Sequence, residues 1–374
     1  MATERTNRPV HGGNLTWAAE VAGCPPNLLL DFSASISPLG PPKSVLEAIE
    51  AGISDLKHYP SPEYGNLRQT LGAVHGLSPD WILPGNGSAE LLTWACRDFS
   101  DCLITCLPTP AFGDYFRGLK AFNAAVLECP LELDEDRRSA SRLKDILAAP
   151  LALQGTTSAA AGLLFNNPHN PSGYLFSGQE LGSLLDRFDL VVVDEAFMDF
   201  LPLHQQESLI DQVASHPNLV ILRSLTKFYS LPGLRLGYAI GHPDRLRRWQ
   251  QWRDPWPVNV LAAAAAQAAV QDHAFQQQSW EWLAIARPHL YSGLQAIAGL
   301  HPLPGAANYL LVRSDYPVLP LQTALLKRHR ILIRDCLSFA ELGNRYFRVA
   351  VRTLEENQRL LYGLTEVLSQ FSSP

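Results

Sequence analysis

Residues 218–240 read NLVILRSLTKFYSLPGLRLGYAI. The runs 218–224 (NLVILRS) and 235–240 (RLGYAI) are largely apolar and lack polar alternation, the pattern of strands covered on both faces. Lys227 follows the first run directly. Ser224 and Thr226 stand just before it, a Pro-Gly turn follows it, and Arg235 lies eight residues on. A lysine leaving the carboxyl end of a sheet strand stands where α/β folds place their chemistry. Taken out of water and set among cations, its amine loses its proton and can form a Schiff base. Otherwise Lys227 is a surface lysine behind a core strand.

Further short apolar runs lie at 102–106 (CLITC), 161–165 (AGLLF) and 190–194 (LVVVD). A helix-like stretch, SGQELGSLLDRF (177–188), lies between two of them, and VLAAAAAQAAV (260–270) reads as a packed helix. Alternation of this kind predicts an α/β fold with a mostly parallel, helix-covered central sheet. After about residue 275 the pattern changes. Strand candidates at 307–314, 330–335 and 345–351 interleave with helices near 320–329 and 354–371. In the last helix Leu354, Leu360, Leu361, Leu364, Leu368 and Phe371 form a near-helical stripe. The expected division is an N-terminal segment 1–40, a large α/β domain 41–274 and a small α+β domain 275–374. The Pro-rich SPLGPP (37–42) marks a crossing between parts of the fold.

Composition narrows the function classes. The 374 residues are 47% hydrophobic and 18% charged, enough for large cores. Acids outnumber Lys and Arg by 36 to 30, so no chain-wide basic footprint for nucleic acid exists. The six cysteines, at 24, 96, 102, 106, 129 and 336, form no Cys-x-x-Cys pair and predict thiols, with no metal site. The polar start MATERTNRPVHGGN and the lack of an apolar run of ~20 residues lead us to expect no secretory signal, no membrane contact and a cytoplasmic location.

Four other stretches have the residue types of a phosphate-bearing aromatic ligand site. In GNGSAELL (85–92), Gly87 precedes Ser88 and Ala89 at the start of an apolar helical run, a ready anion site or an ordinary cap. The Walker pattern is absent, so a nucleoside triphosphate is not indicated. VVVDEAF (191–197) ends a buried-looking strand on Asp194, whose carboxylate needs a partner there: a neighbouring-strand cation or a pyridinium nitrogen. LFNNPHNPSG (164–173) is a strand end and turn from which Asn170 can donate. Phe112, in PAFGDY, is either core or a flat wall against an aromatic ring.

Together with FRVAVRT (347–353), these motifs occur in the order found in the fold-type I pyridoxal-phosphate (PLP) enzymes, the aminotransferase family, which the chain resembles over nearly its whole length. The resemblance implies that Lys227 is the Schiff-base lysine and that Asp194 holds the pyridine nitrogen. It implies Asn170 at the ring hydroxyl and Phe112 on the ring face. Gly87, Ser88, the Ala89 N–H, Ser224 and Arg235 would hold the phosphate. Tyr59, in HYPSPEYGNLR, matches a tyrosine that reaches the neighbouring subunit's cofactor phosphate, which implies a homodimer with shared sites.

Within that family, HGGN (11–14) and LLLDFSASISPLGPP (28–42) resemble the threonine-phosphate decarboxylases of cobalamin biosynthesis, relatives of the histidinol-phosphate aminotransferases. Phe197 fits the decarboxylases, since the aminotransferases carry tyrosine there. Ser35 and Ser37 depart from the usual asparagines, and His169 and Ser172 from Asn and Thr. The implied substrate is a small phosphorylated amino acid, L-threonine O-3-phosphate, held by Arg334 and Arg348 with His11 and Asn14 as further donors. Two guanidiniums suit a ligand bearing both carboxylate and phosphate. Loss of CO2 would give (R)-1-amino-2-propanol O-2-phosphate. Breaking the Cα–H bond instead would make the protein an aminotransferase for histidinol phosphate or another amino acid. A non-catalytic sensing domain of the same shape is disfavoured by the complete set of catalytic residues.

Overall fold

The computed structural model describes residues 8–9, 11–133, 143, 147 and 161–371. Its strands are β1 (Leu30–Asp31), β2 (Ile82–Asn86), β3 (Ile104–Thr109), β4 (Val126–Pro130), β5 (Ala161–Asn166), β6 (Leu190–Asp194), β7 (Leu219–Ser224), β8 (Leu236–Gly241), β9 (Leu300–Pro302), β10 (Tyr309–Ser314), β11 (Ile331–Leu332), β12 (Arg334–Asp335) and β13 (Tyr346–Ala350). Among the described residues the large sheet has seven strands in the order β2-β8-β7-β6-β5-β3-β4. The run from β7 to β4 is parallel; β8 is antiparallel to both β2 and β7.

The apolar strands feed two cores, one on each face. Val191, Val193, Leu219 and Ile221 enter one core with Leu67, Leu71, Ala262 and Ala266 from helices Gly65–Val74 and Val260–Gln271. Leu190, Val192, Val220 and Leu222 enter the other with Leu91, Leu119 and Trp249 from helices Ser88–Phe99, Gly113–Ala121 and Pro243–Trp252. Strand side chains alternate between faces, so a strand packed on both sides has no polar face to reveal it. Each fully buried aliphatic side chain contributes about 1.5–3 kcal/mol, which fixes the register of these strands firmly.

The second sheet is antiparallel, in the order β12-β13-β10-β9. β1, in the N-terminal segment, pairs in parallel with β11. Helix Leu354–Phe371 buries Leu360, Leu361, Leu364, Val367 and Leu368, while Leu354 and Phe371 at its ends stay exposed. Among the described residues no helix is long and apolar enough to cross a membrane, and no cluster of His, Cys, Asp and Glu could hold a metal ion.

Several elements differ from the sequence expectation. β3 starts two residues later than 102, because the exposed Leu103 belongs to a turn. The run 330–335 is broken at Ile333 into β11 and β12, which join different sheets. The stretch 177–188 folds as a short helix, Gly178–Gly182, and a 3-10 turn, Leu185–Arg187. Gly182 is a poor helix former, and a side chain there would meet Gln212 at 2.8 Å. β2 and β4 were not anticipated. Both contain proline, which sheets tolerate at edges, and both are the edge strands. Helix His273–Gln295, capped by Asp272, runs across the change of pattern at 275.

Candidate active site

The carboxyl ends of β3, β5, β6 and β7 face one side of the large sheet and lead into Phe112, Asn170, Asp194 and Lys227. Ser224 ends β7 and caps the helical turn Leu225–Phe228, its Oγ lying 2.8 Å from Thr226 Oγ1. This turn brings Lys227 back over the strand end, and its Nζ donates to Ser224 Oγ at 3.2 Å. The ring of Phe197 lies 5.4 Å from that nitrogen. Burial lowers the Lys227 pKa, opposed by Asp194 and reinforced by Arg235 and Arg348.

Asp194 accepts from the Tyr115 hydroxyl at 2.9 Å and from the Ala196 N–H at 3.0 Å. Burial nonetheless raises its pKa, with Lys227, Tyr115 and the Ala196 N–H pulling the other way. The negative charge is therefore under-compensated, and a further cationic donor would be favourable. The alternative reading, a neighbouring-strand cation, does not describe this carboxylate. The buried arginine there, Arg223, instead pairs with Glu195 at 2.9 Å and with Asp199.

A second group converges beside it. Gly237 on β8 registers with Gly85 on β2 and with Ser224 on β7. A side chain at Gly237 would meet Ser88 N at 2.5 Å and the Arg223 carbonyl at 2.6 Å, so its absence lets helix Ser88–Phe99 rest on the sheet. Gly87, with φ 75° and ψ 159°, is the residue before that helix, and Ser88 is its first residue rather than its cap. Arg235, at φ 56°, sets its guanidinium against Gly87, where a Cβ would meet Nη2 at 2.8 Å. The unpaired N–H groups of a helix start, a guanidinium and the Ser224 and Thr226 hydroxyls thus surround one point, an arrangement that fits a phosphate.

A cavity of about 300 Å³ is lined by His11, Phe112, Asp114, Asn170, Arg334 and Arg348 among others; Lys227 and Asp194 are not part of its lining, but Arg348 helps to lower the Lys227 pKa. Arg334 and Arg348 are register partners across β12 and β13. Arg334 donates to Ser338 Oγ at 2.7 Å, and Arg348 donates to Asn170 Oδ1. His11 reaches the cavity because Gly12 packs on the Ser33 carbonyl, where a Cβ would lie at 2.3 Å, and Gly13 N–H donates to Ser33 Oγ at 2.8 Å. Phe112 caps helix Gly113–Ala121 and meets Tyr115 edge-on at 5.6 Å.

Asn14 and Tyr59 belong neither to the lining of this cavity nor to the contacts described around Lys227 and Gly87. Asn14 accepts from the Trp17 N–H at 3.0 Å and caps helix Leu15–Ala22. Tyr59 is 80% exposed, its ring tilted by 34° against that of Trp256 with 4.7 Å between ring centres. Ser35 and Ser37 are buried; the Ser37 N–H donates to the Lys227 carbonyl at 2.9 Å, behind the lysine. Sequence reasoning missed Tyr115 and Tyr309. Tyr115 stands within the quoted PAFGDY, three residues after Phe112, where a helical start turns it toward β6. Tyr309 carries no local signal.

The family model described as Aminotransferase class I and II matches residues 28–364. The chain belongs to the class I and II aminotransferase family. Among family relatives, it is 38% identical to a threonine-phosphate decarboxylase from Salmonella typhimurium, over 96% of each chain. It is 27% identical to the adenosylcobalamin biosynthesis bifunctional protein CobDQ of Leptospira interrogans, over 96% of this chain and 41% of that one. The structure of the histidinol-phosphate aminotransferase from Clostridium acetobutylicum superposes with a TM-score of 0.82 at 25% identity, covering 91% of this chain and all of that one.

Proposed function

We propose that the protein is a PLP-dependent decarboxylase that converts L-threonine O-3-phosphate to (R)-1-amino-2-propanol O-2-phosphate in cobalamin biosynthesis. The observation that carries this reading is the pair of register-matched arginines, Arg334 and Arg348, on one cavity, with Arg348 also helping to lower the pKa of the buried Lys227. Two guanidiniums match a ligand with a carboxylate and a phosphate. Similarity to the Salmonella decarboxylase along 96% of the chain supports the same choice.

The phosphate of PLP fits the point formed by Gly87, the Ser88 and Ala89 N–H groups, Ser224, Thr226 and Arg235. Asp194 would hold the ring nitrogen, Asn170 would serve the ring hydroxyl and Phe112 would cover one ring face. Once bound, the cofactor supplies an electron-withdrawing ring that accepts the electron pair left when a bond at Cα breaks. Arg348 grips the substrate carboxylate and fixes which Cα bond breaks; Arg334, with Ser338 and His11, takes the substrate phosphate. As the Cα–carboxylate bond breaks, CO2 departs. Lys227 Nζ, as the ammonium carrying a proton taken from the substrate's amino group, would donate that proton to Cα. The apolar ring of Phe197 keeps water from that nitrogen.

Tyr59 and Trp256, both exposed and in ring contact, support a homodimer, with Tyr59 serving the partner's site. Sedimentation tests this reading: a strict monomer overturns it. For the reaction, PLP-loaded protein is mixed with threonine phosphate and CO2 is collected. Release without a 2-oxo-acid acceptor is expected. Acceptor-dependent amino transfer without CO2 overturns the reading. Lys227→Ala should abolish both the borohydride-sensitive visible band of the loaded protein and CO2 release.

A further inference from the structure

Tyr309 is fully buried and contacts both halves of the site without lining the cavity. Its hydroxyl donates to the His169 carbonyl at 2.8 Å, in the turn that carries Asn170. Its ring lies under the Arg348 guanidinium, 4.7 Å from Cζ, and meets Phe197 edge-on at 4.9 Å. Arg348 itself donates to Asn170, which closes a ring of contacts: Tyr309, the 169–170 turn, Asn170, Arg348 and back to Tyr309. The turn is itself stiff. His169 is buried, its Nδ1 lies 2.7 Å from Ser172 Oγ, and the Gly173 carbonyl accepts from the Ala306 N–H at 2.7 Å. Gly173 and Gly305 approach so closely that a Cβ on Gly173 would meet Gly305 Cα at 3.0 Å. The residue that supports Arg348 is thus anchored to the large-sheet loop, not only to its own strand.

We infer that Tyr309 is a positioning residue: it holds the Arg348 guanidinium flat on its ring face and so sets the direction in which that arginine presents its donors to the substrate carboxylate. The inference rests on the proposed decarboxylase reading, because the carboxylate direction decides between CO2 loss and amino transfer. A guanidinium on an aromatic face is held by the ring quadrupole, which favours stacking and leaves the in-plane N–H groups free. An aliphatic side chain would leave the guanidinium bound to Asn170 alone and free to pivot.

The test compares Tyr309→Phe, which keeps the ring, with Tyr309→Leu, which removes it. In the PLP-loaded enzyme, Tyr309→Leu should raise KM for threonine phosphate roughly thirtyfold, the size of one desolvated cation–ring contact. It should also divert a larger share of turnovers into amino transfer, while Tyr309→Phe keeps the wild-type ratio. In PLP-free protein, calorimetry with threonine phosphate should show the same loss of affinity for Leu and not for Phe. If Tyr309→Leu does not fold, phenylalanines of increasing fluorination at 309 keep the shape while draining the ring's negative face, and affinity should fall stepwise. Wild-type affinity and product ratio in the folded Leu protein, or no trend across the fluorinated series, overturn the inference. If the wild type only transfers amino groups, the decarboxylase reading fails, and Tyr309 is judged on KM for that amino donor.

Discussion

Replacing Gly87 by alanine should weaken cofactor binding through Arg235. Gly87 sits at φ 75° and ψ 159°, a region that only glycine occupies readily, so a Cβ costs about 1–3 kcal/mol in the backbone. The same Cβ would stand 2.8 Å from Arg235 Nη2 and 3.3 Å from its Cζ. The guanidinium, being the end of a flexible side chain, gives way; it must retreat about 0.6 Å to reach ordinary contact at 3.4 Å. A charge-assisted N–H···O bond of ~2.7–2.9 Å does not survive such a shift. Losing one costs roughly 1.5–3 kcal/mol, about tenfold to 100-fold in affinity. The assay is titration of PLP into cofactor-free protein, followed by absorbance, for wild type, Gly87→Ala, Arg235→Ala and the double variant. Gly87→Ala should lower affinity at least tenfold when Arg235 is present and leave it unchanged when Arg235 is absent. The backbone cost should appear in urea unfolding in both backgrounds. Equal losses of affinity with and without Arg235 would refute displacement of the guanidinium, and so would a PLP affinity within twofold of wild type.

Two further perturbations separate charge from shape. Asp194→Asn keeps one oxygen, for the Ala196 N–H, turns its NH2 toward the Tyr115 hydroxyl oxygen, which can accept from it, and removes the carboxylate charge, so kcat should fall on the order of 10²-fold, the size of one preorganised electrostatic contact, with KM for threonine phosphate little changed. A kcat within threefold of wild type would contradict the assigned role. Burial holds His169 neutral by lowering its pKa from 6.5 to about 4, so its protonation favours the unfolded chain, and stability drains away as pH falls from 6.5 towards 4. Measured by urea unfolding of cofactor-free protein, the stability of wild type relative to His169→Asn should drop by about 3 kcal/mol between pH 7 and pH 4. Parallel pH profiles would show that His169 is not the group responsible.

Where the chemistry sits at the end of an apolar run, it was legible. Asp194 and Lys227 follow strands whose two packed faces leave an unbroken hydrophobic signature, so a lone ionisable group at their ends stands out. Asn170 and Phe112 were legible only through the order of the motifs. The edge strands β2 and β4 were hidden by Pro84, Gly85 and Pro130, which interrupt the apolar run that marks a strand. Tyr309 could not be read at all. Its meaning lies in a guanidinium on a neighbouring antiparallel strand and a carbonyl far away in sequence. At Asn14 the sequence allows two roles, since a side chain suited to donate to a ligand is equally suited to cap the helix that follows it, and its oxygen does so here.

The two sheets divide the task of retention. Lys227, Asp194 and the Gly87–Arg235 pocket belong to the seven-stranded sheet and the helix resting on it, whereas Arg334 and Arg348 belong to the four-stranded one. A slight swing of the smaller sheet would therefore loosen the spent amine while the vitamin stays clamped, and the enzyme could empty itself after each cycle without having to be recharged.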